Sequence, residues 1–182
     1  MSIAGLLASL EASHLAGRLR DSLYLFPLIE SSHVVGLTMV FGTIAIVDLR
    51  LLGIASTGRP FTRVASDVLK WTWLAFALTV MTGLLMFITN AAVYYHNFYF
   101  RSKMTLLALS GINMLIFELT AWGSVHRWDK DAAAPLAGRT VAALSLLFWI
   151  SIIFCGRWIG FTTTRAAPKG DTDVNIEELL PK

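Results

Sequence analysis

The fold class this sequence predicts is all-α: an integral membrane bundle of four transmembrane helices with a helix at the membrane interface ahead of it. Three observations predict it. Of 182 residues, 55% are apolar and 15% charged, and mean hydropathy is +0.64, whereas a soluble domain carries about a quarter charged residues. Four apolar stretches each run for about twenty residues, the length that spans a hydrocarbon layer of roughly 30 Å at a rise of 1.5 Å per residue. Aromatic residues make up 12% of the chain, with six Trp, and they gather at the ends of those stretches, as interfacial belts do.

The first span is Leu28 to Val47, free of Lys, Arg and Asp, with Pro27 where a first-turn proline is tolerated and Asp48 and Arg50 marking the far interface. The second is Trp71 to Val93, opened by Lys70 and closed by Tyr94, Tyr95, Phe98, Tyr99 and Phe100. The third runs from about Met104 to Val125 between Lys103 and a polar stretch beginning at His126, and the fourth covers about Thr140 to Gly160. In lipid a helix satisfies its own backbone donors and acceptors, which selects helix over strand for all four. Ahead of them, residues 1–24 alternate Leu6 and Leu10 with Ser9, Glu11, His14 and Arg18 at roughly helical spacing, an interfacial amphipathic helix. Nothing basic precedes its apolar run, so it is expected to stay on the protein rather than serve as a cleaved signal. Domain organisation is then an interfacial helix over 1–24, the transmembrane domain over 25–160, and a flexible polar tail over 161–182, where Pro168 and Gly170 interrupt any helix.

Four spans put the N-terminus, the 94–103 loop and the C-terminus on one side of the membrane, side A, and the 50–70 and 127–139 loops on the other, side B. Side B carries Arg50, Arg59, Arg63, Lys70, Arg127, Lys130 and Arg139 in two short loops. That favours side B as cytoplasmic and places both termini in the periplasm.

Ionisable residues inside a span are costly, so each is a candidate functional residue. Glu30 and His33 lie three apart on one face of the first span, in its side A half. They admit three readings. His33 ligates a haem iron or other metal, oriented by Glu30 or a neighbouring carbonyl, with His96 at the end of span two as second ligand and Met39 or Met86 as soft alternatives. Glu30 and His33 form a proton or ion relay. Or they are a structural pair that fixes packing, with Arg157 of span four as the counter-charge of Glu30. In span three, Asn113 and Glu118 read first as interhelical hydrogen-bonding glue, with Asn90, Thr79 and Thr82 opposite on span two. Gly36, Gly42, Gly83 and Gly111 would let helices approach closely.

Several functions are excluded or disfavoured. The net charge of +3 is scattered, which leaves no nucleic-acid footprint. One cysteine, Cys155, excludes a disulfide framework. No GxSxG, HExxH, Walker or dinucleotide-binding motif occurs, so a self-contained hydrolase or nucleotide-driven pump is not expected.

The segments FPLIESSHVVGLTMVFGTIAIVDLRLLG, TGLLMF, NFYFRSKMTLLALSGINMLIF and FCGRWIGF together resemble a family of four-helix bacterial inner-membrane proteins of unknown function. The resemblance covers about Phe26 to Phe161 and has no activity to lend. A more distant likeness is to the membrane domain of copper-resistance protein D and to small b-type cytochromes. It implies His33 and His96 as a ligand pair for at most one haem b, or copper held by His33 with Met39 or Met86. The expectation is therefore an inner-membrane protein that holds one b-type haem or metal and passes electrons between the quinone pool and a periplasmic partner. Its rivals are a copper transporter and a non-catalytic membrane subunit of a homo-oligomer or larger complex.

Overall fold

Each of the four apolar stretches is carried mainly by one long helix that begins ahead of it. The computed structural model describes residues 2–131 and 133–166, with side chains to residue 163. Two short helices come first, α1 (Ile3–Glu11) and α2 (His14–Asp21), followed by α3 (Leu25–Leu51), α4 (Phe61–Thr89), α5 (Ala91–His96) and α6 (Phe98–Thr120). A 3₁₀ turn (Trp122–Ser124) leads into α7 (Val125–Trp128), and α8 (Leu136–Ala166) ends the described chain. Helices α3, α4, the segment from α6 through α7, and α8 are long and apolar enough to cross a membrane. The protein is a multi-pass, four-helix transmembrane bundle.

Several boundaries differ from expectation. The N-terminal segment is two helices because Ser13 starts a new one, its side chain accepting a hydrogen bond from the amide of Ala16. Helix α4 begins at Phe61, ten residues before Trp71, because Asp129 in the opposite loop caps it: its Oδ1 accepts from Thr62 N at 2.8 Å and its backbone carbonyl from Phe61 N at 2.9 Å. The same helix stops at Thr89, where Asn90 leaves helical geometry (φ −149°, ψ 53°), so the aromatic belt and His96 fall on the separate α5 and the start of α6. At the other end of the chain, residues 161–166 continue α8. The rest of the expected polar tail lies outside the described residues.

The bundle is built from two antiparallel pairs, α3 with α4 and α6 with α8, joined by the contact of α3 with α8. Close approach of the first pair depends on Gly36: a Cβ there would sit 2.6 Å from Thr79 Oγ1. The α4/α6 seam is the loosely packed side, bridged by ring contacts, Phe61 with Phe117 at one end and Phe87 with Phe100 at the other, rather than by close helix packing. At mid-depth Val40, Ala75, Trp149 and Ile152 form an apolar plug with Leu106 and Leu107 beside it.

At side B, Arg50 is fully buried and fastens both loops. Its Nε donates to Arg59 O at 2.9 Å, and its Nη2 to Asp129 O at 3.2 Å and Asp131 O at 3.0 Å. Phe61 stacks edge-on against Phe117 and Trp122 and tilted against Trp128 just beneath. At side A, α1 packs on α4 and α5, and Glu11 Oε1 accepts from Ala92 N at 2.8 Å.

Candidate functional site

The inner face of α3 repeats at helical spacing through His33, Gly36, Leu37, Val40, Ile44 and Asp48. Above the plug, towards side A, that face presents His33. Its Nδ1 lies 3.0 Å from Thr79 O and 3.1 Å from Thr82 Oγ1 on α4. A carbonyl only accepts, so Nδ1 carries a proton and donates to it, while Thr82 gives its own hydroxyl proton to Leu78 O at 2.7 Å. This leaves Nε2 as the nitrogen open to a ligand, with no hydrogen-bond partner among the described residues. Gly83 makes room for the ring, since a Cβ there would stand 3.1 Å from His33 Cε1.

Helix α6 brings Lys103 to the same layer. Its ammonium lies within electrostatic range of His33 and of Cys155 on α8, and its Nζ is 3.6 Å from where a Cβ on Gly156 would be. Among the described residues this partly buried cation has neither a hydrogen-bond acceptor nor an ion-pair partner. An ammonium with no protein acceptor is costly in a low-dielectric bundle, which makes Lys103 a candidate donor to a ligand.

One turn nearer side A, three rings roof the layer. Phe87 of α4 stacks on Phe100 of α6 (centroids 5.4 Å, interplanar 18°) and on Tyr94 of α5 (6.4 Å). Phe87 follows Gly83 by one turn and Phe100 precedes Lys103 by nearly one, so the rings share the faces of the polar layer. Burial, and next the charge of Glu30, push the Tyr94 phenol above its ordinary pKa.

The residues singled out in the sequence are distributed unevenly around this layer. His33 is at its centre. Glu30 is exposed near Tyr94, and the orienting acceptor of His33 is the Thr79 carbonyl. Arg157 is exposed and lies over the Phe161 ring at 4.8 Å. The expected Glu30 to Arg157 pair does not form: among the described residues the ion pair present is Arg59 with Asp67, at 2.7 Å. His96 is exposed at the end of α5, Nδ1 2.9 Å from Ala92 O, with no hydrogen bond or ring contact to His33. Met39 is exposed and Met86 half-buried. Asn113 is buried and joins α6 to α8, Nδ2 donating to Val141 O at 2.9 Å, whereas Glu118 faces outward. No group of three or more His, Cys, Asp or Glu able to hold a metal ion occurs among the described residues.

Three interior residues read in the sequence as boundary markers: Lys103, Asp48 and Arg50. The signal for Lys103 was its register, since positions 103, 106, 110 and 113 fall on one helical face and Asn113 already marks that face as interior.

Four apolar helices with a polar layer in their side A half define a multi-pass membrane protein. Residues 14–162 match a family of unknown function (DUF6644), and the chain belongs to that family. No curated protein and no solved structure matches it.

Proposed function

We propose that this is a bacterial inner-membrane protein that binds the head group of a quinone in the layer of His33 and Lys103, and presents it, near the periplasmic face, to a redox partner. The observation that carries the reading is the Lys103 ammonium beside His33 with no protein acceptor. A quinone offers two carbonyl oxygens on a flat ring. Lys103 Nζ is a donor for one, the His33 imidazole faces the other, and the Phe87, Tyr94 and Phe100 rings provide a π surface above. The loosely packed α4/α6 seam supports access from lipid, where an isoprenoid tail stays dissolved while the head enters. In this reading the protein is a quinone-docking membrane subunit with side B in the cytoplasm.

A second reading has one observation in its favour. Donation of Nδ1 to a backbone carbonyl is the usual way a ligating imidazole is oriented, so His33 Nε2 would be a ligand for a haem b, which would supply one-electron chemistry. Lys103 would then hold a propionate. A second protein ligand has no interior candidate at that level among the described residues, since His96 is exposed.

Both readings meet one experiment. Purified protein from quinone- and haem-replete cells is extracted for quinone and scanned for a reduced-minus-oxidised spectrum, and a short-chain quinone is titrated against tryptophan fluorescence. Saturable quenching that weakens about tenfold or more in Lys103→Met, a loss of at least 1.4 kcal/mol, supports the quinone site. A b-type band lost in His33→Ala moves the assignment to haem. Neither signal refutes both.

A further inference from the structure

Below the apolar plug, about four turns along α3 from His33, lies a second polar layer that the quinone reading does not use. Asp48 is 6% exposed. The Ser145 side chain of α8 is its polar neighbour, yet its Oδ2 is sealed from solvent with no hydrogen-bond partner. Ser110 Oγ of α6 is sealed and unpartnered in the same way. Register places the three at one level. The Asn113 to Val141 bond fixes α6 against α8. These helices are antiparallel, so one turn back from Asn113 brings Ser110 level with Ser145, one turn on from Val141.

Three helices thus each carry an oxygen-bearing side chain to this level, and two of the oxygens are sealed and unpartnered. Buried polar atoms are almost always paired, so unpaired ones mark an occupant. We propose that Asp48, Ser110 and Ser145 bind a small monovalent cation in the side B half of the bundle. Hard oxygen donors select an alkali-type ion over a soft metal. One carboxylate sets the charge: a singly charged ion leaves the layer neutral, whereas a divalent ion would leave an excess positive charge in a low-dielectric interior. Arg50, two residues further along α3, is committed to the loop carbonyls of Arg59, Asp129 and Asp131. Remaining coordination positions would be filled by water.

The test uses the full chain in detergent, with thermal unfolding followed in sodium chloride and in choline chloride at equal ionic strength and fixed pH. A ligand that binds only the folded state raises the midpoint in a saturable way. Sodium should raise it, Asp48→Asn should abolish the sodium-specific part, and Ser110→Ala should raise the half-saturating sodium concentration about tenfold, equivalent to 1.4 kcal/mol. Equal midpoints in sodium and choline, as expected of a layer holding only water or a proton, would overturn the proposal. So would a sodium response that survives in Asp48→Asn. Should that variant fail to fold, Ser110→Ala and Ser145→Ala decide, and unchanged sodium dependence in both counts against the site.

Discussion

Replacing Gly83 with alanine sets a helix-propensity gain against a local clash, and the two act on different observables. The new methyl carbon would stand 3.1 Å from His33 Cε1 and 3.5 Å from Nδ1. Carbon atoms settle at about 3.5–4.0 Å, so the imidazole must retreat by a few tenths of an ångström. Its bonds to Thr79 O and Thr82 Oγ1, now 3.0 and 3.1 Å, stretch towards the limit of about 3.2 Å for a good N–H···O bond. Weakening one of them costs about 1 kcal/mol. Alanine in place of glycine in a helix interior returns about 0.8–1.0 kcal/mol. Global stability should therefore stay within about 0.5 kcal/mol of the parent. Ligand binding has no compensating gain, and about 1 kcal/mol of misplacement is roughly a fivefold loss in affinity. Thermal unfolding in detergent and a short-chain quinone titration measure the two separately. Unchanged affinity in a stable Gly83→Ala protein would refute the placement of His33 in the binding layer, and a large loss of stability would refute the claim that its ring has room to yield.

The remaining predictions concern the frame around that layer. Arg50→Ala removes the charge-assisted bonds to Arg59 O, Asp129 O and Asp131 O, of a kind worth about 1.5–3 kcal/mol each; with water refilling part of the space, a loss of about 3–5 kcal/mol is expected, seen as a lower unfolding midpoint, and a midpoint unchanged within error would show that the loops are held otherwise. Gly36→Ala forces a carbon to 2.6 Å from Thr79 Oγ1 and should cost about 1–3 kcal/mol, against the near neutrality of Gly83→Ala; equal effects in the two would contradict the helix spacing. Glu30→Ala and Arg157→Ala should be additive in a double-mutant cycle to within about 0.5 kcal/mol, because the two groups do not meet, and a larger coupling would restore the pair. A reporter fused after residue 182 should read periplasmic, and a cytoplasmic signal would invert the membrane orientation.

The spans were legible because an apolar run of about twenty residues has few alternatives, and Asn113 was legible because an amide in such a run needs a partner. The start of α4 was not. Phe61 to Lys70 is polar enough to pass for a loop, and the cap that makes it helical comes from Asp129, remote in sequence. The break at Asn90 was equally hidden, for the apolar pattern continues through Ala91, Ala92 and Val93 while the backbone turns. His33 was visible as an isolated imidazole, but its relation to Lys103 depends on how α6 is rotated against α3. A basic residue four to six positions inside a helix looks the same in sequence whether it snorkels outward or turns in.

The attachment of Arg50 also bears on how the chain assembles in the bilayer. Helices α3 and α4 form one hairpin and α6 and α8 another, each made of neighbours in sequence that can enter the membrane as a pair. Arg50 emerges with the first hairpin, when one of its carbonyl partners, Arg59 O, is already present and the others, at Asp129 and Asp131, have yet to be synthesised. Its guanidinium is therefore only partly satisfied until the second hairpin arrives and delivers that loop. Arg50 thus ties the first hairpin to the loop of the second: its bonds to Asp129 O and Asp131 O can form only once the 127–131 segment has been made.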